Sequence, residues 1–372
     1  MNVRVSLYLD LLRFGAAFIV MLSHVAIERA TGGVWQWVRD LRIGSDTVIV
    51  FFVLSGYVIA YVADQKKEDR TSYLINRLSR LYSVVIPALL LTMVVDGLGI
   101  LLNPEYYRTF WYIPYSNIER FFASFFYINQ IWTINIRPFS NGPFWSLSYE
   151  FWYYMMFFAV FYFQGGKRIL LTALVLAIMG LKLWLLAPVW WMGVWTYRKS
   201  QTINHSSSTG WFLFLSPIVI YALIKYFGIS DVLLDWTNST LGSDTVYKWL
   251  RFSDEFIISY VYMILVSMHF LGLVTVAKNS LFWLERWQKA IRYWAGLTFS
   301  LYLFHHPLLN LFVAVFPGDV HSPLRHLAMV VGIVAVTVVV GSVTEKHKYK
   351  VRSLFQWIWQ KISARSSQPQ TS

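Results

Sequence analysis

The sequence predicts an all-α polytopic membrane protein with about ten transmembrane helices. Three observations carry that expectation. Apolar residues make up 57% of the 372 and charged residues only 14%, against about 25% charged in an average soluble domain. The mean hydropathy is +0.49. Apolar runs of about 20 residues, the length that crosses a bilayer, recur along the chain. A soluble fold of this size lacks the interior to bury so much apolar surface, so lipid must cover it. The absence of cysteine excludes disulfides, thiolate metal sites and a cysteine nucleophile.

The runs lie at 7–28, 46–63, 81–102, 145–163, 169–186, 188–198, 211–228, 257–276, 296–316 and 323–344. The first is too long and too charged for a cleavable signal peptide and is expected to remain. The sixth, around VWWMGVWTYR, is short and also reads as half of a broken or re-entrant helix. Residues 1–345 form one membrane domain, with no internal repeat. Residues 346–372 form a basic tail whose last stretch, ARSSQPQTS, is polar and expected to be disordered.

Lysine and arginine in the loops predict the orientation. With the N-terminus inside, the cytoplasmic segments hold 20 of the 32 Lys and Arg, including Arg4, the 66–80 cluster and the tail; the outside loops hold eight. The remaining four, Arg13, Lys182, Lys225 and Arg325, fall within spans. Both termini are therefore expected in the cytoplasm. The net charge of +13 reads as this membrane asymmetry, with no nucleic-acid partner implied.

Ionisable groups inside a span are costly and mark function by default. The first run carries Asp10, Arg13 and His24. Arg13 and His24 are eleven residues apart, which puts them about 20° from overlay on one helix face and about 16 Å apart along the axis. Asp10 is placed to pair with Arg13. A structural ion pair with an interfacial histidine is the alternative. Arg77 and Arg80, in the loop into the third run, share a face; they read either as ordinary cytoplasmic charge or as an anion site suited to phosphate. Glu150, in FWSLSYEFWYY near the outer end of the fourth run, reads either as a buried acid suited to proton transfer or as an interfacial carboxylate reaching water. His305 and His306 precede Pro307. Neighbouring residues on a helix point about 100° apart, and no ligand spacing accompanies them, so no metal is expected.

R-x10-H from Arg13 to His24, VFFVLSGYVIA at 50–60, R-x-x-R at 77–80, WSLSYE at 145–150 and SLYLFHHP at 300–307 occur in that order. Together they resemble the acyltransferase-3 family of integral membrane acyltransferases, which O-acetylate bacterial surface polysaccharides. The resemblance implies His24 as the essential histidine, Arg13 as its motif partner, Arg77 and Arg80 as the cytoplasmic pair, Glu150 as the motif glutamate, and Tyr302 and His305 as substrate-contacting groups. Where many members carry aspartate before F-F-V-L-S-G, this chain has Ile49, and Asp46 one turn earlier is expected to substitute. Many relatives also carry an extracytoplasmic esterase-like domain, so a stand-alone transferase is expected here.

The activity so implied is transfer of an acetyl or other acyl group from acyl-CoA to a hydroxyl of a cell-surface or lipid-linked glycan, in the bacterial inner membrane. Acetyl-CoA would be a donor substrate, with no permanently bound cofactor. His24 would be the general base, its ordinary pKa near 6.5 suiting that role. Glu150 would orient the imidazole or the acceptor, or be the base itself, and a covalent acyl intermediate also fits. A glycan transporter or flippase and a non-catalytic assembly partner are the competing classes. Nothing in the sequence sets the sugar, the hydroxyl or the oligomeric state.

Overall fold

The computed structural model describes the backbone of residues 1–111, 115–316, 318–346 and 348–366, and their side chains apart from 109–111, 345, 346, 348 and 362–366. Among the described residues there are helices and no strands, as a bilayer demands when every backbone polar group must be satisfied within its own segment. Each apolar run is helical. We label them α1 (Val3–Val25), α2 (Ile43–Lys66), α3 (Arg70–Leu102), α4 (Trp145–Tyr162), α5 (Gly165–Met179), α6 (Leu181–Thr202), α7 (Ser207–Tyr226), α8 (Phe256–Asn279), α9 (Thr298–Val315) and α10 (Pro323–Lys346). Seven of these helices (α1, α2, α3, α7, α8, α9 and α10) are long and apolar enough to cross a membrane. The fold is thus an all-α polytopic membrane protein.

Two helix boundaries differ from the sequence reading, each for a local reason. The third run does not begin at 81. Asp69 caps α3, its side chain accepting the Ser72 N–H at 2.6 Å, and this bond holds the Asp69 carboxyl below its ordinary range. The helix then runs 33 residues, so Arg77 and Arg80 sit on the spanning helix itself and not on a loop before it. The second difference is the break between the fifth and sixth runs, which falls at Gly180 and not near 187. Gly180 has φ +81°, and a Cβ there would lie 2.6 Å from the Trp132 backbone. Only glycine fits both constraints. Pro188 is accommodated inside α6, which is a continuous 22-residue helix and not a short or broken segment.

Lys348–Ser366 is a helix, labelled α11, packed along α3. The expectation of disorder falls on 364–372, most of which lies outside the described residues.

Helices α2 and α9 are innermost, about two thirds buried, whereas α7 is 22% buried and faces outward. The segments assigned to the inside by charge gather at one end. Arg4 pairs with Glu285 at 2.7 Å and donates to the carbonyls of Ala277 and Lys278; Asp10 pairs with Arg292; Tyr197 donates to Asp64 at 2.6 Å. This is the basic end. At the far end Arg42 bridges Glu255 at 2.8 Å and Asp231 at 3.4 Å.

Candidate active site

Arg13 and His24 of α1 line cavities at different depths of the bundle. Arg13 is held by Asp10 at 3.4 Å and by the Ala295 carbonyl at 2.9 Å. Three cavities follow one another through the bundle. A basic-end cavity of about 390 Å³ is lined by Arg13, Lys66, Arg77, Arg80, Tyr349 and Arg352, among others. A narrow middle chamber of about 50 Å³ is lined by Arg13, Arg80, Ser55, Glu150, Tyr154 and Tyr302. A far cavity of about 880 Å³ is lined by His24, Asp46, Trp145, Arg251, Glu255 and Tyr302. Arg13, Arg80 and Phe299 are common to the first two, and Tyr302 to the last two. These shared walls place the three cavities next to one another.

At the basic end, Arg77 is buried and lies 3.7 Å from Glu68, while the Arg80 guanidinium sits 5.0 Å over the Phe299 ring. In the chamber, Glu150 lies five residues into α4. Its Oε1 accepts a hydrogen bond from Ser55 Oγ at 2.8 Å and another from Tyr154 OH. Trp190 Nε1 also donates to Ser55 Oγ, at 3.2 Å. Glu150 is therefore hydrogen-bonded and shares its chamber with two arginines that are remote in sequence. Glu150 lines the chamber, whereas His24 lines the far cavity. Tyr302 OH meets Ser146 Oγ at 2.7 Å.

Where α1 meets α9, His24 Nδ1 lies 3.0 Å from the Val20 carbonyl and 3.1 Å from His305 Nε2. His305 Nδ1 is 2.9 Å from the Leu301 carbonyl. Carbonyls only accept, so each Nδ1 carries the proton. The His24 N–H is then shared with the His305 lone pair, and His24 Nε2 is left as the basic nitrogen, on a side chain that lines the far cavity. His306 packs edge-on against the His24 ring at 5.1 Å, its Nδ1 donating to the Ser140 carbonyl at 2.7 Å. Both histidines of the pair thus meet His24, although one lies a residue beyond the other.

Asp46 lies in the far cavity, bound by Lys225 at 2.6 Å and by Tyr221 OH at 2.8 Å. It is neutralised by a lysine and does not contact His24 directly. Trp145 stacks on Phe252 at 4.7 Å with ring planes 2° apart. Burial raises the Glu255 carboxyl to about 7, against the opposing pull of Arg42.

Sequence reasoning missed Ser55, Tyr154, His306 and Lys225 as members of the site. Tyr154 was detectable, being one helical turn from Glu150; Ser55 stood inside the quoted VFFVLSGYVIA stretch without a role. The family model described as an acyltransferase domain matches residues 6–344 of the chain. No curated protein and no solved structure matches it.

Proposed function

The chain belongs to the acyltransferase-3 family, and from that premise we propose that it moves an acyl group, acetyl in the simplest case, from acyl-CoA to a hydroxyl of a cell-surface or lipid-linked glycan. The observation that carries this reading is the cavity series: cations at one end, a narrow chamber, and a histidine facing a wide polar cavity at the other. The donor's phosphates bind among Arg77, Arg80 and Arg13, and the pantetheine arm threads the middle chamber. Opening the chamber to admit the arm involves Arg80 and Phe299, which stack at its mouth. The Glu150 carboxylate, with up to four acceptor sites and two of them used, receives an amide N–H of the arm. The thioester reaches Tyr302, the wall common to chamber and far cavity.

In the far cavity the acceptor hydroxyl lies against His24. As its oxygen attacks the thioester carbonyl, Nε2 takes the hydroxyl proton and the carbonyl oxygen becomes an oxyanion. The C–S bond then breaks, the ester is released to the far side, and the thiolate leaves with the proton from the imidazolium. His305 accepts the Nδ1–H of His24 throughout, favouring the charged imidazolium as it forms. Asp46, with Lys225, shapes the acceptor cavity.

The test is transfer of labelled acetyl from acetyl-CoA to glycan by the purified full chain in vesicles. Labelled glycan supports the reading; movement of unmodified glycan or donor across the vesicle would make the protein a conduit. The double variant Arg77→Ala with Arg80→Ala should raise the donor KM at least tenfold with little change in acceptor KM, each charge-assisted phosphate contact being worth about 1.5–3 kcal/mol. A lowered kcat at unchanged donor KM would assign the pair a structural role.

The basic end faces the cytoplasm in this reading, so both termini lie on the cytoplasmic side of a bacterial inner membrane. A reporter fused after Arg365 should read cytoplasmic, and one inserted near Asp235 extracytoplasmic. The opposite pair of signals would put the arginine cavity on the side where no acyl-CoA is made.

A further inference from the structure

Helix α11 reaches the donor side of the molecule at one point. Tyr349 and Arg352, one turn apart, line the basic-end cavity together with Lys66, Arg77 and Arg80. A turn later Phe355 packs on Tyr82 of α3, ring centroids 5.9 Å apart, which pins the helix with this face toward the cavity. Leu354, Trp357 and Ile358 are exposed on the other side, and Lys361 Nζ lies 4.0 Å over the Trp357 ring.

The cations of the cavity divide by depth. Arg13 and Arg80 also line the middle chamber, whereas Lys66, Arg77 and Arg352 line the basic-end cavity alone. Arg77 is already engaged by Glu68. A CoA thioester carries two separate anionic groups: a diphosphate joined directly to the pantetheine arm, and a monophosphate on the 3′ position of its ribose. With the arm in the chamber, the diphosphate falls at Arg13 and Arg80. The ribose phosphate then lies at the mouth, among the outer cations. We infer that Arg352, with Lys66, binds the 3′-phosphate of the donor, so that α11 is a specificity element distinguishing CoA thioesters from donors lacking that phosphate. This rests on the acyl-CoA reading above.

The experiment is steady-state transfer by the full chain from acetyl-CoA and from acetyl-3′-dephospho-CoA, in wild type, Arg352→Ala and Arg352→Lys. Wild type should favour acetyl-CoA by about tenfold or more in kcat/KM, the scale of one charge-assisted phosphate contact. Arg352→Ala should cut most of that preference by raising the KM for acetyl-CoA alone, Lys66 holding the remainder, with kcat and the KM of the dephospho donor unmoved. Arg352→Lys should retain more of it. Equal losses on both donors in Arg352→Ala would overturn the inference and make α11 structural, as would an undiminished preference. Transfer from neither donor by wild type would remove the acyl-CoA reading itself, and the inference with it.

Discussion

Replacing His24 with alanine should lower acyl transfer by roughly 10²–10⁴-fold, the range that a positioned general base contributes, while the protein remains inserted and binds its donor. The expectation rests on the paired histidines. His24 Nδ1 is committed to the Val20 carbonyl and to His305 Nε2, which fixes the ring and leaves Nε2 as the base. Donor binding should persist because Arg77 and Arg80 line a separate cavity. His305→Ala is the graded companion: it removes the partner of the imidazolium but leaves the Val20 anchor, so it should fall between wild type and His24→Ala. Initial rates of labelled acetyl transfer, beside donor binding by the same preparations, decide it. Full activity in His24→Ala would take this residue out of the mechanism and turn attention to Glu150.

The membrane fold was legible because lipid imposes a simple code: long apolar runs separated by charge. The same code blurs wherever a helix is covered by protein. Helix α6 carries Lys182, Arg198 and Lys199 and is largely buried along its length, so its hydropathy falls and the sequence shows only its aromatic middle. Its true start is set by Gly180 pressing on Trp132, a contact invisible in one dimension. Charge told more than hydropathy about the site. Arg13, His24, Arg77, Arg80 and Glu150 all stand out as ions or titratable groups in or beside apolar surroundings, and all line the three successive cavities. What could not be read was pairing between helices. Lys225 was visible as an intramembrane cation, yet its partner Asp46 lies on another helix. Likewise Glu150 gives no hint in sequence of Ser55, which approaches it from α2.

A second large effect is expected at two glycines, where α2 and α6 cross. Gly56 faces the Trp190 carbonyl and Gly193 faces the Val53 carbonyl, each so closely that an added Cβ would collide with the opposing backbone. Small residues at such a crossing let two membrane helices touch through their main chains. Gly56→Ala or Gly193→Ala must therefore push α2 and α6 apart, since a carbonyl cannot swing aside as a flexible side chain can. Overpacking of this kind costs about 1–3 kcal/mol and sometimes more. The larger consequence is for activity. Ser55, beside Gly56, receives the Trp190 indole N–H and donates to Glu150, so separating the helices moves the wall of the chamber through which the donor arm passes. Displacements of about 1 Å at a reacting site can cost on the order of 100-fold, and a loss of that size is expected in both variants, with a lowered unfolding temperature in detergent. Gly97→Ala is the control, because an added methyl there meets nothing within 4 Å. Variants at 56 and 193 as active and as stable as Gly97→Ala would show that the crossing tolerates a wider gap. The serine and glycine of the FFVLSG stretch would then need separate explanations. As the contacts stand they need one: glycine brings the helices together, and serine uses that closeness to hold Glu150.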